Sequence, residues 1–176
     1  MKTPRTINLV GGRGYTGSEL LRLLAAHPYM DLGMASSRSV SGQSIASVCD
    51  GWPDDGKVFT ALEPQGVGAH LADAWVLALP NGLAANWVEH IRKDFPDSVI
   101  LDLSADYRFD PGWTYGLPER FRTEIKTSKL IANPGCYATG AQLGLLPLKD
   151  RLVSPPVIFG VSGFSGAGKT PSPRND

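Results

Sequence analysis

Cysteine is scarce in this chain. Two residues, Cys49 and Cys136, among 176 are too few for a disulfide scaffold and fit a reducing, cytoplasmic setting. No apolar run approaches the ~18 residues of a membrane span. Met1-Lys2-Thr3-Pro4-Arg5 leads directly into an apolar strand, so no signal or transit peptide is expected. An excess of either charge is also missing. Lys+Arg and Asp+Glu each number 17, and no like-charged block exceeds two residues. That excludes a basic stripe for nucleic acid and a polybasic membrane patch. There are no internal repeats, and no metal site is expected. Glycine and proline are plentiful, at 20 and 14, too many for a helical bundle and a sign of specialised turns. An apolar fraction of 42 % against 19 % charged is the balance of a folded chain rather than a disordered one. The length holds one domain, or one domain and the start of another.

Short apolar runs alternate with longer helical stretches. Strands are predicted over 7–10, 32–35, 75–79, 99–103, 130–132 and 157–161. Helices are predicted over 18–27, 82–95 and from Tyr137 onward, with Pro28 ending the first and Pro147 kinking the last. Residues 36–56 read as loops with a short helix. This alternation gives parallel strands with crossover helices, an α/β fold built on a doubly wound, mostly parallel sheet. The stretch between Leu103 and Leu130, with Pro111, Gly112, Gly116 and Pro118, has no clear period and is expected to be a substrate-side excursion.

In such sheets ligands sit beyond the carboxyl ends of the strands, and chemistry-bearing residues concentrate there. Gly11, Gly14 and Gly17 form Gly-x-x-Gly-x-x-Gly, and Gly12, Gly14 and Gly17 form Gly-x-Gly-x-x-Gly. Both patterns lie between a predicted strand and a predicted helix. Glycine permits the turn and lets backbone N–H groups approach a pyrophosphate, the pattern of a Rossmann-type dinucleotide site. The plain alternative is a tight βα turn with a Thr16–Glu19 capping box. About twenty residues further on, NAD sites commonly carry an acid for the ribose 2′-hydroxyl. Here Ser36, Ser37 and Arg38 stand instead, and hydroxyls with a guanidinium suit a 2′-phosphate. The expected cofactor is therefore NADP (NADPH), with a solvated Arg38 as the alternative. Cys136 follows Asn133-Pro134-Gly135 and opens a predicted helix. A helix N-terminus favours a thiolate, which makes Cys136 a candidate nucleophile, the alternative being a small buried apolar residue. Cys49 has no such setting and reads as buried.

Gly11-x-x-Gly14-Tyr15-Thr16-Gly17-x-Glu19-Leu20, Ser37-Arg38, Asp102-Leu103-Ser104-Ala105-Asp106-Tyr107-Arg108 and Asn133-Pro134-Gly135-Cys136-Tyr137 occur in this order, followed by Ser162-Gly163-Phe164-Ser165-Gly166-Ala167-Gly168. The set resembles the N-acetyl-gamma-glutamyl-phosphate reductase family, of the broader aspartate-semialdehyde dehydrogenase type. The resemblance implies NADPH-dependent reduction of N-acetyl-L-glutamyl 5-phosphate to the 5-semialdehyde and phosphate, in arginine biosynthesis. It implies Cys136 as the catalytic nucleophile, forming a thioester. Arg108, Asn133, Ser162 and Gly163 would be substrate-binding. Gly11, Gly14, Tyr15, Thr16, Gly17, Ser37, Arg38, Pro80, Ser165 and Gly166 would bind the cofactor. It further implies a division into a cofactor domain over 1–135 and, over 136–176, a nucleophile helix with the first part of a second, α+β catalytic domain. The expected partner is a small acyl phosphate, with homo-oligomers at full length. A sister reductase of an aminoadipyl or aspartyl phosphate, or a non-catalytic NADP-binding module, stays open beside this reading.

The family's general acid/base histidine has no match among His27, His70 and His90, which read as structural or surface residues. The chain thus reads as C-terminally truncated, expected to bind NADP(H) but turn over poorly. Gly163 to Thr170 also matches Gly-x4-Gly-Lys-Thr, a phosphate-binding loop. Pro171 and Pro173 deny it the helix that such a loop needs, so an ATPase or kinase reading is set aside.

Overall fold

The computed structural model describes residues 3–161, 163 and 166. Among the described residues seven strands are formed: β1 (Arg5–Val10), β2 (Met30–Ser36), β3 (Phe59–Thr60), β4 (Ala74–Leu77), β5 (Val99–Asp102), β6 (Thr114–Tyr115) and β7 (Leu130–Ala132). They make one sheet in the order β3-β2-β1-β4-β5-β7-β6, with every neighbouring pair parallel. The helices are α1 (Tyr15–Leu24), α2 (Ile45–Val48), α3 (Ala84–Asp94), α4 (Pro118–Ile125) and α5 (Cys136–Leu145). The expected doubly wound sheet is present.

Side-chain alternation along the central strands sends apolar residues to both faces. Leu9 of β1 and Val76 of β4 join Leu21 and Leu24 of α1 on one face. Val10, Trp75 and Leu77 join Trp87, Val88 and Ile91 of α3 on the other. Both sides of the sheet are therefore covered, as a parallel sheet requires. On β2, Leu32 and Ala35 share a face although three residues apart. The register explains it: Ile7 pairs with Leu32 and Asn8 with Met34, so Gly33 is an extra, bulged residue. A Cβ at Gly33 would lie 2.6 Å from Asn8 Oδ1.

Several expectations are corrected. The first helix begins at Tyr15 with Gly14 as N-cap, and ends at Leu24 rather than His27. Thr16 lies inside it, so no capping box forms; Glu19 pairs with Arg22 instead. The region 104–129 is not one long excursion, because it contains β6 and α4. The strand expected over 157–161 is not formed among the described residues: the segment pairs with none of their strands, and Val157 and Phe159 are 98 % and 89 % exposed. An apolar run makes a strand only where an edge accepts its backbone, and this one docks on neither β3 nor β6. The kink at Pro147 is present as a 3-10 turn, Leu146–Arg151, continuing from α5.

Candidate functional site

The loops after β1, β2, β4, β5 and β7 share the carboxyl edge of the sheet. After β1 the chain turns at Gly11 with φ +88°, a backbone state that side chains disfavour. A Cβ there would lie 2.2 Å from the Ala78 carbonyl oxygen. The N–H groups of Gly11 and Gly12 both donate to the Ser36 carbonyl, at 3.1 and 2.9 Å. At Gly17 a Cβ would stand 2.5 Å from the Gly11 carbonyl oxygen, so this glycine lets α1 close against the turn. Gly14 differs. Its φ of −58° is ordinary, and the nearest atom to an added Cβ is 3.7 Å away. Among the described residues nothing crowds a side chain there, and the start of α1 has no side-chain cap. Tyr15 and Thr16 are exposed on that first turn.

A groove of about 580 Å³ opens between β1 and β4, where the chain reverses winding direction. Gly11, Gly14, Ser37, Arg38 and Pro80 line it, five of the residues expected from sequence, together with Arg13, Ser39 and Trp87, which were not. Ser37 and Ser39 hydroxyls are 3.4 Å apart, and Arg13 Nη1 donates to Ser39 Oγ at 3.3 Å. Arg38 is exposed but not solitary. Its Nε and Nη2 donate to Glu63 Oε1 and Oε2 at 2.9 and 2.6 Å, and that carboxylate raises the guanidinium further above its ordinary value. Sequence reasoning missed Glu63, which follows Arg38 by 25 positions and has no motif around it. A larger groove, of about 910 Å³, lies at the opposite edge beside the starts of β1, β4 and β5, and contains none of the expected site residues.

Three strand spacings from β1, roughly 14 Å, β7 ends at Ala132 and α5 begins at Cys136. Gly135 is the N-cap, with no side chain capping the helix. The Cys136 thiol is exposed, whereas Cys49 is buried with its Sγ donating to the Ser18 carbonyl. Arg108, half-buried, reaches this corner from the loop after β5. Its Nε donates to the Asn133 carbonyl at 2.9 Å and its Nη2 to the Leu103 carbonyl at 3.3 Å. A Cβ on Gly135 would lie 2.8 Å from Arg108 Nη1. The guanidinium thus rests against the residue that precedes the thiol, a result the long unpatterned segment did not disclose. Asn133 contributes its carbonyl to Arg108, while its amide nitrogen donates to the Pro134 carbonyl.

Beneath this edge lies a carboxylate ladder. Asp102 is fully buried and accepts from the Ser104 hydroxyl at 2.6 Å and the Ser104 N–H at 3.2 Å. Burial pushes its carboxyl above the usual range, against the lowering effect of those bonds. Ser104 Oγ accepts the Asp106 N–H. The Asp106 carboxylate in turn accepts N–H groups of Gly82, at 2.7 Å, and Ala84, at 3.2 Å. The groove wall and the Arg108 loop are therefore tied together.

Each of the three histidines takes part in a hydrogen bond, His70 through its backbone carbonyl. His27 Nδ1 accepts the Tyr29 N–H, the His70 carbonyl accepts from the Asn8 amide, and His90 Nδ1 contacts the Asn86 carbonyl. Of the last loop, Gly163 and Gly166 are exposed and joined by a backbone hydrogen bond. Ser162 and Ser165, and the Lys169-Thr170 end of the phosphate-loop match, lie outside the described residues.

The family description "Semialdehyde dehydrogenase, NAD binding domain" matches residues 6–128, and "Semialdehyde dehydrogenase, dimerisation domain" matches residues 136–176. A protein of Xanthomonas campestris pv. campestris named N-acetyl-gamma-glutamyl-phosphate reductase is 49 % identical over 173 residues, 98 % of this chain and 54 % of the relative. One of the same name from Xylella fastidiosa is 51 % identical over 171 residues, 97 % of this chain and 51 % of its own length. The chain spans about half the length of the curated relatives it matches. Among solved structures, aspartate semialdehyde dehydrogenase II of Vibrio cholerae aligns with TM-score 0.70 at 18 % identity, over 96 % of this chain and 49 % of that one. The Candida albicans aspartate semialdehyde dehydrogenase solved with NADP aligns with TM-score 0.64 at 16 % identity, over 85 % and 48 %. At such identities these two speak to the fold alone.

Proposed function

Since the chain belongs to the semialdehyde dehydrogenase family, we propose that it carries the cofactor site and the nucleophile of an NADPH-dependent acyl-phosphate reductase. The proposed substrate is N-acetyl-L-glutamyl 5-phosphate, giving N-acetyl-L-glutamate 5-semialdehyde and phosphate in arginine biosynthesis, in the cytoplasm. The observation that carries this reading is the corner where an exposed thiol opens α5 and the Arg108 guanidinium lies against Gly135.

The glycine turn fits a dinucleotide. Gly11 and Gly17 bring α1 against β1, and Gly14 leaves its N-terminus open to a pyrophosphate, which the helix dipole favours. Tyr15 and Thr16 sit on the same turn, Pro80 forms the opposite wall, and Ser37, Arg38 and Arg13 supply hydroxyls and cations for a 2′-phosphate. Bound NADPH supplies hydride to the acyl carbon. Cys136 does the covalent work: its thiolate attacks the acyl-phosphate carbonyl, the carbon–sulfur bond forms, and the carbon–oxygen bond to phosphate breaks. Arg108 neutralises the departing phosphate, held in place by Asn133 and Leu103. Release of the aldehyde returns the thiolate. By the same reading residues 1–135 are the cofactor domain, and 136–176 open a catalytic domain through which the protein assembles as a homo-oligomer. Ser162, Gly163, Ser165 and Gly166 are assigned there to the reacting end.

Two measurements test the proposal. Incubated with the acyl phosphate and no cofactor, the chain is expected to gain a hydroxylamine-labile acyl group on Cys136, seen by peptide mass spectrometry and lost in Cys136→Ser. Saturating 2′-phospho-ADP-ribose is expected to raise the melting temperature by several degrees, and Mg-ATP to leave it unchanged. Stabilisation without acylation, and a thiol no more reactive than free cysteine, would leave a non-catalytic NADP-binding module in place of the enzyme.

A further inference from the structure

Beside the groove stands a charged residue with no role in the reading above, Glu63. It lies between β3 and the 3-10 turn Pro64–Ala69, at the N-cap of that turn, yet its side chain caps nothing there. Instead both carboxylate oxygens reach sideways to Arg38. Its neighbour Leu62 lines the groove, so the carboxylate stands at the groove's rim. The end of β2 carries Ser36, Ser37 and Arg38 and no acid. The fold supplies one from the next strand connection.

We infer that Glu63 sets cofactor selectivity, repelling a 2′-phosphate held beside it on Arg38 and offering an acceptor to the 2′-hydroxyl of an unphosphorylated ribose. The inference rests on the cofactor reading above. The side-on fork occupies Arg38 Nε–H and one N–H of Nη2. The two protons of Nη1 and the second of Nη2 remain for a phosphate, so Arg38 can hold both anions at once. Sharing the guanidinium brings a carboxylate and a phosphate dianion within a few ångströms of each other, and their repulsion weakens NADPH. NADH meets no such repulsion and gains a hydrogen-bond acceptor. Counted at the rim, Arg13 and Arg38 against Glu63 leave one net positive charge; without Glu63 there are two. The chain should thus prefer NADPH less strongly than its Ser37-Arg38 pair alone would make it.

The test is equilibrium binding of NADPH and NADH, read from cofactor fluorescence, with wild type, Glu63→Gln, Arg38→Ala and the double variant. In Glu63→Gln the ratio of the NADH to the NADPH dissociation constant is expected to rise about 3- to 10-fold at low salt, and the gain to shrink at high salt. In the Arg38→Ala background the same change is expected to move the NADPH constant by less than about 2-fold, because the shared cation that draws the two anions together is gone. An unchanged or lower ratio, with both cofactors bound, overturns the assignment to Glu63 and leaves the cofactor reading standing. If wild type binds neither cofactor, the reading falls and this inference falls with it.

Discussion

At the level of single residues, the glycine pattern separates into positions that the fold needs and one that it does not. Gly17→Ala places a methyl 2.5 Å from a backbone oxygen and is expected to cost about 1–3 kcal/mol of stability, along with dinucleotide binding. Gly14→Ala meets nothing closer than 3.7 Å, so a urea titration should show a loss under about 1 kcal/mol while NADPH affinity still falls. Equal stability losses in the two variants would contradict this division. Asp102 makes a prediction in pH. Its carboxyl is raised by burial in the folded chain, above the unfolded value of about 3.9. The contribution of its proton is complete below that value and lost as pH rises through the folded one. Asp102→Asn carries no such ionisation, so its melting temperature relative to wild type should move upward between pH 4 and 8. Parallel curves would overturn the account. Gly11, Gly14, Gly17 and Cys136 were legible in the sequence because each sits at a fixed offset from a strand or helix end. Glu63 and Arg13 were not, because what they touch is set by how separate loops meet.

Among the elements, a long helix with a buried apolar face is read readily, whereas very short strands and α4, which has no buried residue, show no period. α3, with Trp87 and Ile91 on one buried face, declares itself. β3 and β6 have two residues each, too few for any alternation to register. Helix starts follow the same logic. α1 and α3 have no cap from an adjacent side chain, and α3 obtains its acceptor from Asp106, more than twenty residues on. Asp106→Ala strips acceptors from Gly82 and Ala84 together. It is expected to destabilise the chain by about 1–2 kcal/mol in urea and to weaken NADPH binding, since Pro80 and Leu83 of that turn line the groove. Unaltered cofactor affinity would show that the turn keeps its place without the carboxylate.

Taken as a whole, the described residues bury the sheet on both faces yet leave the stretch after α5 uncovered, with Val153, Val157, Phe159 and Val161 each more than 80 % exposed. Exposed apolar surface of this kind drives association. Sedimentation velocity on the 176-residue chain is expected to show concentration-dependent self-association that Val157→Ser/Phe159→Ser reduces; a monomer at all concentrations would argue otherwise. The family model matched over 136–176 is described as a dimerisation domain. The sequence by itself determined the winding of the sheet, the glycine turn and the place of the thiol at a helix start, because periodicity and turn chemistry are local and act within a few residues. Only the tertiary structure decided that 157–161 finds no edge to pair with, that Arg108 lies against Gly135, and that an acid holds Arg38. Those outcomes depend on which distant segments come within hydrogen-bonding reach, and a linear order of residues does not specify distance through space.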